Sequence, residues 1–199
     1  MNTELYERHP QLKSCEREIA TALGLLADTV RAGGRILVCG NGGSAADAEH
    51  IVGELLKSFR KRRPVDAATA AKLPREIADR LEGAIPAISL VSMGGFLTAF
   101  SNDVGFDLAF AQEVYALGRP GDTLLALSTS GASVDCVNAA LVARAKGLKV
   151  VSLVGARGGK LADASDVAIK VPETETHKVQ ELHLPVYHAL CAQLEDLMF

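Results

Sequence analysis

The chain has 199 residues, 48% of them apolar, and a formal net charge of −3. That is enough for one α/β domain with a full core and too little for two large ones. It argues against a nucleic-acid partner, since the only cationic cluster is the local run Arg60-Lys61-Arg62-Arg63, and no apolar run is long enough to span a membrane.

The polar opening MNTELYERHP does not read as a signal peptide, and Cys15, Cys39, Cys136 and Cys191, with no C-x-x-C spacing, read as free buried thiols. A cytoplasmic protein is expected. Residues 1–34 form a helical extension, with Leu12, Cys15, Ile19, Leu23, Leu26 and Val30 stepping by three or four and Gly33-Gly34 as a stop. Such a helix either lies on the sheet or pairs subunits.

The stretch Arg35–Glu54, RILVCGNGGSAADAEHIVGE, reads as a strand (Ile36–Cys39), a glycine turn (Gly40–Gly43) and a helix opened by Ser44. Strand, glycines and helix N-terminus make an anion seat, because the backbone comes close and free N–H groups point at the guest. Ser44 suits the N-cap, with Asp47 three residues on as a variant capping box. His50 and Glu54 share one helical face at i, i+4, which is either an acid/base or metal pair or a plain solvated pair. The helix should run to about Arg62, with the basic run at its cationic end, and stop before Pro64.

Residues 65–83 read as an alanine-rich helical insertion, broken at Pro74. Ile85–Val91 is a strand, Ser92–Asn102 a helix, Asn102-Asp103 a turn, and GFDLAFAQEVYAL a further helix. Thr123–Leu127 is a third strand that runs into Ser128-Thr129-Ser130-Gly131-Ala132-Ser133 and a helix from about Val134 to Lys146. This is a second candidate anion seat, and in a parallel sheet both turns fall at the carboxyl edge. Lys149–Gly155 and Asp166–Val171 are the last strands, with a short helix, Leu161–Ala164, between them. The helix over 174–198 carries Gln180, Glu181, His183 and His188, with Pro185 as a kink and His183 read as a helix-face or interface histidine. Alternating strands and helices predict an α/β fold, a doubly wound five-stranded parallel sheet.

The ordered set CGNGGSAADAEH, SNDVGF, ALSTSGAS and VQELHLPVYH resembles the sugar isomerase (SIS) fold, and within it the phosphoheptose isomerases, over nearly the whole chain. The resemblance implies an SIS domain over 35–199 and conversion of sedoheptulose 7-phosphate to a glycero-manno-heptose 7-phosphate. It also implies a homotetramer with sites between subunits, and a bound zinc ion. Substrate contacts would fall on Asn41, Gly42, Gly43 and Ser44, on Asn102 and Asp103, on Ser128, Thr129, Ser130 and Ser133, and on Glu54 and Gln180. The serine turn would then hold the phosphate, and the glycine turn would face the reacting end of the sugar. Zinc would be held by His50, Glu54, Gln180 and His188, with Glu54 and His188 as the acid/base pair. Gln180 and His188 are eight helical residues apart, about 12 Å of rise, so either their side chains lean together or two subunits complete the site. Three features depart from the family pattern: His177 at a position often acidic, the 65–83 insertion, and Ala45-Ala46 after the serine, which make the first turn plainer. The alternatives are the same chemistry on another sugar phosphate, or a non-catalytic sugar-phosphate sensor or scaffold.

Overall fold

The computed structural model describes residues 3–199. In chain order the elements are α1 (Thr3–Arg8), a 3-10 turn (Pro10–Cys15), α2 (Glu16–Arg31), β1 (Ile36–Gly40), α3 (Gly43–Leu56), α4 (Ala67–Ala70), α5 (Arg75–Ala78) and β2 (Ala87–Ser89). They continue with α6 (Gly94–Asp103), α7 (Ala109–Leu117), β3 (Thr123–Ser128), α8 (Val134–Ala145), β4 (Lys149–Gly155), α9 (Gly159–Asp163), β5 (Val167–Val171) and α10 (Thr176–Met198).

All five strands are parallel, in the order β2-β1-β3-β4-β5. β1 and β3 are buried at every residue, as a strand covered on both faces must be. Successive side chains alternate between two cores. Ile36, Val38, Leu125, Leu127, Val151 and Leu153 pack under α2, α3 and α10, whereas Leu37, Cys39, Leu124, Ala126 and Val150 pack under α7, α8 and α9. Each fully buried Leu or Ile contributes about 1.5–3 kcal/mol relative to exposure, which makes this two-sided burial the main source of order in the sheet. All four cysteines are buried and free. No helix among the described residues is long and apolar enough to cross a membrane.

The N-terminal segment is not one helix. His9 is non-helical (φ −133°, ψ 70°) because the following Pro10 disfavours a helical backbone there. Leu12, Cys15, Ile19 and Leu26 are buried in the α10 side of the core, so α2 lies on the sheet. Its end forms as expected at Ala32-Gly33-Gly34, where the Gly34 N–H donates to the Thr29 carbonyl at 2.9 Å.

Two expected elements are shorter than their sequence suggests. α3 stops at Leu56, six residues before Arg62: Lys57 is extended, and Arg63 turns back to donate to the carbonyls of Glu54 and Leu55. The basic run is therefore a loop, with Arg63 wholly buried. β2 spans only Ala87–Ser89, because Leu90–Ser92 coils into a 3-10 turn. The 65–83 segment is two single-turn helices separated at Pro74, the first capped by Asp66, whose carboxylate accepts from the Thr69 N–H at 2.9 Å. Its ends close on each other through a bridge between Pro64 and Glu82.

Candidate active site

The strand order reverses between β1 and β3, and ligand crevices of open α/β sheets lie at such a switch point. Register puts Gly40 beside Leu127, so the glycine turn and the serine turn leave adjacent strands at one edge. In the first turn, Gly42 has φ 56° and ψ −120°, a backbone that side chains rarely adopt. Gly42 is the N-cap of α3, two residues earlier than expected. Ser44 lies inside the helix, is buried, and makes no cap bond. A Cβ on Gly43 would fall 2.5 Å from Gln180 Nε2, so the bare glycine is what lets the glutamine lie against the turn. The Asn41 amide donates to Asp135 Oδ2 at 2.7 Å, which ties this turn to the first turn of α8.

The second turn is lined by its own hydroxyls. Ser128 and Ser133 share a hydrogen bond of 2.9 Å, the Gly131 N–H donates to Ser128 Oγ at 3.1 Å, and the Ala132 N–H donates to Ser130 Oγ at 3.1 Å. Ser133 is the N-cap of α8 without a side-chain cap bond, leaving that helix end to a guest anion. Thr129 is half-buried and Ser130 exposed. Asn102 and Asp103 end α6, are exposed, and bond to each other at 2.9 Å. Among the described residues they make no hydrogen bond to either turn.

On α3 and α10 the other candidates meet. His50 Nε2 lies 3.3 Å from Glu54 Oε1 and 3.5 Å from His188 Nε2. The second carboxylate oxygen of Glu54 accepts from Lys57 Nζ at 2.8 Å. Tyr187 Oη lies 3.1 Å from Asp47 Oδ1 and 3.1 Å from His50 Nδ1. A carboxylate only accepts, so the tyrosine donates to Asp47 and takes the Nδ1 proton of His50. His50 Nε2, the other ring nitrogen, faces Glu54 and His188. Asp47 is thus an orienting group rather than a capping residue, and its pKa is raised by burial, against the pull of Tyr187 and His50. Burial, with His50 adding to it against Glu54, lowers the pKa of His188.

Two imidazole nitrogens and a carboxylate oxygen at this spacing are donors that suit a cation. Ligands at about 2.0–2.2 Å in a tetrahedral zinc site sit about 3.4 Å from one another, the spacing found on both sides of His50. The donor set therefore fits zinc in type and pairwise spacing, although no closed cluster of three or more His, Cys, Asp or Glu is preformed among the described residues. Gln180 is not with them: it sits at Gly43, toward the start of α3. On its other side His188 borders a groove of about 420 Å³ shared with Phe59, Arg60 and Pro185, which no residue of either turn lines.

His183, expected on a helix face or at an interface, is wholly buried in the chain, and burial lowers its pKa to about 4 against an opposing contact with the Val154 backbone. Sequence reasoning also missed Tyr187, Lys57 and the buried Arg63. The i, i+3 spacings of Asp47 to His50 and of Glu54 to Lys57 were available as signals; Tyr187 and Arg63 carried none.

The SIS domain model matches residues 8–83 and 76–155 of this chain. The phosphoheptose isomerase of Rhodospirillum rubrum is 42% identical over 188 residues, covering 94% of this chain and 90% of that protein, and that of Roseiflexus sp. is 40% identical over 87% and 79%. Among solved structures, phosphoheptose isomerase GmhA from Neisseria gonorrhoeae superposes with a TM-score of 0.77 at 31% identity, over 98% of this chain and 96% of that one. A phosphoheptose isomerase from Francisella tularensis gives 0.78 at 29% identity, over 95% and 90%. The chain belongs to the SIS domain family, and within it to the phosphoheptose isomerases.

Proposed function

We infer that this isomerase interconverts sedoheptulose 7-phosphate and D-glycero-D-manno-heptose 7-phosphate through an enediol. The observation that carries the reading is the meeting of Glu54 and His188 within 3.5 Å of His50, where α10 packs on the helix that leaves the glycine turn. Glu54 takes the proton from the carbon next to the carbonyl, and that C–H electron pair becomes the double bond of the enediol while His188 protonates the carbonyl oxygen. Return of a proton to the former carbonyl carbon, with loss of the proton on the neighbouring hydroxyl, gives the aldose. Lys57 holds one carboxylate oxygen of Glu54, and the other faces His50. Proton transfer by placed groups is worth about 10²–10⁴-fold in rate.

Ser128, Thr129, Ser130 and Ser133, with the N–H groups that open α8, hold the phosphate in this reading; Asn41, Gly42, Gly43, Ser44 and Gln180 face the reacting end, and Asn102 and Asp103 contact the sugar. Zinc would be held by His50, Glu54 and His188, with Gln180 as a further ligand. When bound it would polarise the carbonyl as a Lewis acid. Within one chain Gln180 and His188 point to different places on α3, which supports a homo-oligomer, a tetramer with shared sites. Four free buried thiols support a cytoplasmic location.

The test is incubation with sedoheptulose 7-phosphate in deuterated water, followed by NMR. An aldose product carrying deuterium is expected, and Glu54→Gln should lower kcat by about 10²–10⁴-fold with the fold intact. A folded protein that binds the sugar phosphate but neither exchanges nor isomerises would make it a sensor.

A further inference from the structure

Arg63 is the largest wholly buried side chain among the described residues, and it pairs with a wholly buried Glu195. Its Nε donates to Glu195 Oε1 at 2.6 Å, Nη1 to the Leu55 carbonyl at 2.8 Å and Nη2 to the Glu54 carbonyl at 3.1 Å, with the Phe199 ring 5.3 Å away. The Glu195 carboxylate accepts in addition from the backbone N–H groups of Phe59 at 2.9 Å, Arg60 at 2.8 Å and Lys61 at 3.2 Å. A pair of this kind is weak evidence for stability, because desolvating both charges offsets their attraction and well-packed apolar substitutes are often as stable. What it does supply here is placement.

We propose that Arg63 and Glu195 are positioning residues for the isomerisation: the pair caps the C-terminal carbonyls of α3 and ties them to α10, and so sets the His50–Glu54 edge against His188. The proposal rests on the isomerase reading above. Glu54 is the third residue from the end of α3, where carbonyls lose their helical partners and the turn frays. The guanidinium takes the carbonyl of Glu54 itself and of its neighbour, and its charge complements the dipole at that end. Glu195 lies seven residues after His188 on α10, two turns along the same face, so one ion pair spans the two helices that carry the acid and the base. The 65–83 segment is fastened to the same place: the Gly83 N–H donates to the Arg63 carbonyl at 2.8 Å, and the Glu82 carboxylate accepts from the Ser58 N–H at 2.7 Å.

The decisive variant is Arg63→Met combined with Glu195→Leu, which removes both charges and keeps apolar bulk. Thermal melts, kcat and KM are measured alongside the 13Cε1 histidine signals of the metal-free, ligand-free protein. Only five histidines contribute, and His50→Asn and His188→Asn assign the two that matter. The expected result is a folded protein with KM unchanged, kcat lower by about ten- to a hundredfold, and displaced His50 and His188 signals, since misplacing a supporting shell costs about that much. Arg63→Lys, which keeps the charge but cannot reach both carbonyls and the carboxylate together, should stay folded and recover only part of kcat. A folded double variant with wild-type kcat and unmoved histidine signals would overturn the proposal, as would a loss confined to KM. If the double variant does not fold, Arg63→Lys and Glu195→Gln are read the same way below their melting temperatures. A wild-type protein without isomerase activity would refute the reaction, whereas the histidine signals would still decide the clamp.

Discussion

Glu113, on α7, is 2% exposed, and neither of its carboxylate oxygens has a partner. Burial raises its pKa from 4.5 to about 8, so the folded protein prefers it protonated. Its stabilising contribution is therefore fully present below about pH 4.5 and lost as pH rises through about 8. His183 works in the opposite sense: its pKa is lowered from 6.5 to about 4, so its contribution is present above 6.5 and lost as pH falls through about 4. Between pH 4.5 and 6.5 the two slopes oppose each other, so the test lies above 6.5: melting temperatures measured from pH 6.5 to 8 should fall with rising pH in the wild type and flatten in Glu113→Gln, which keeps the shape and cannot ionise; an unchanged slope would refute the assignment. At this scale the sequence was legible where chemistry is carried by local spacing, as in His50 and Glu54. It was silent where partners come from far along the chain. Tyr187 reaches Asp47 across 140 residues, and nothing in either neighbourhood announces the other.

The two ligand turns owe their shapes to glycines of different kinds. At Gly43 an added methyl meets only the end of the flexible Gln180 side chain, at 2.5 Å, which can swing away. At Gly131, where φ is 64°, it would lie 1.8 Å from the Gly158 carbonyl, and that backbone cannot yield cheaply. Gly43→Ala should therefore keep its melting temperature within a few degrees but lose kcat by displacing Gln180, whereas Gly131→Ala should lose about 2 kcal/mol or more of stability. Thermal melts beside steady-state kinetics separate the two, and equal destabilisation would contradict the contrast. Element types followed from periodicity and glycine punctuation almost throughout. Ends did not: α3 reads as continuing to Arg62 because Lys57–Arg62 has no helix breaker, and what stops it is the return of Arg63 onto its carbonyls.

For the molecule as a whole, alternation in the sequence implied a parallel five-stranded sheet, but the order β2-β1-β3-β4-β5 lies in long-range pairing that no local pattern encodes. Val104, Phe106, Leu108, Tyr115, Val134 and Leu141 are exposed on the α6–α8 side, more apolar surface than a lone chain needs. Light scattering at assay concentration should give a multiple of the 20.9 kDa chain mass, four by the reading above; a monomer would refute shared sites. The ion pair between Arg63 and Glu195 also sets an order of events. The two are separated by 132 residues, so during synthesis Arg63 leaves the ribosome long before its partner exists and must wait in water. Until α10 docks, the Arg63 cap on α3 has no counter-charge and His50 has no facing imidazole. The nascent chain can thus build its sheet early yet remain catalytically silent until its last helix is in place.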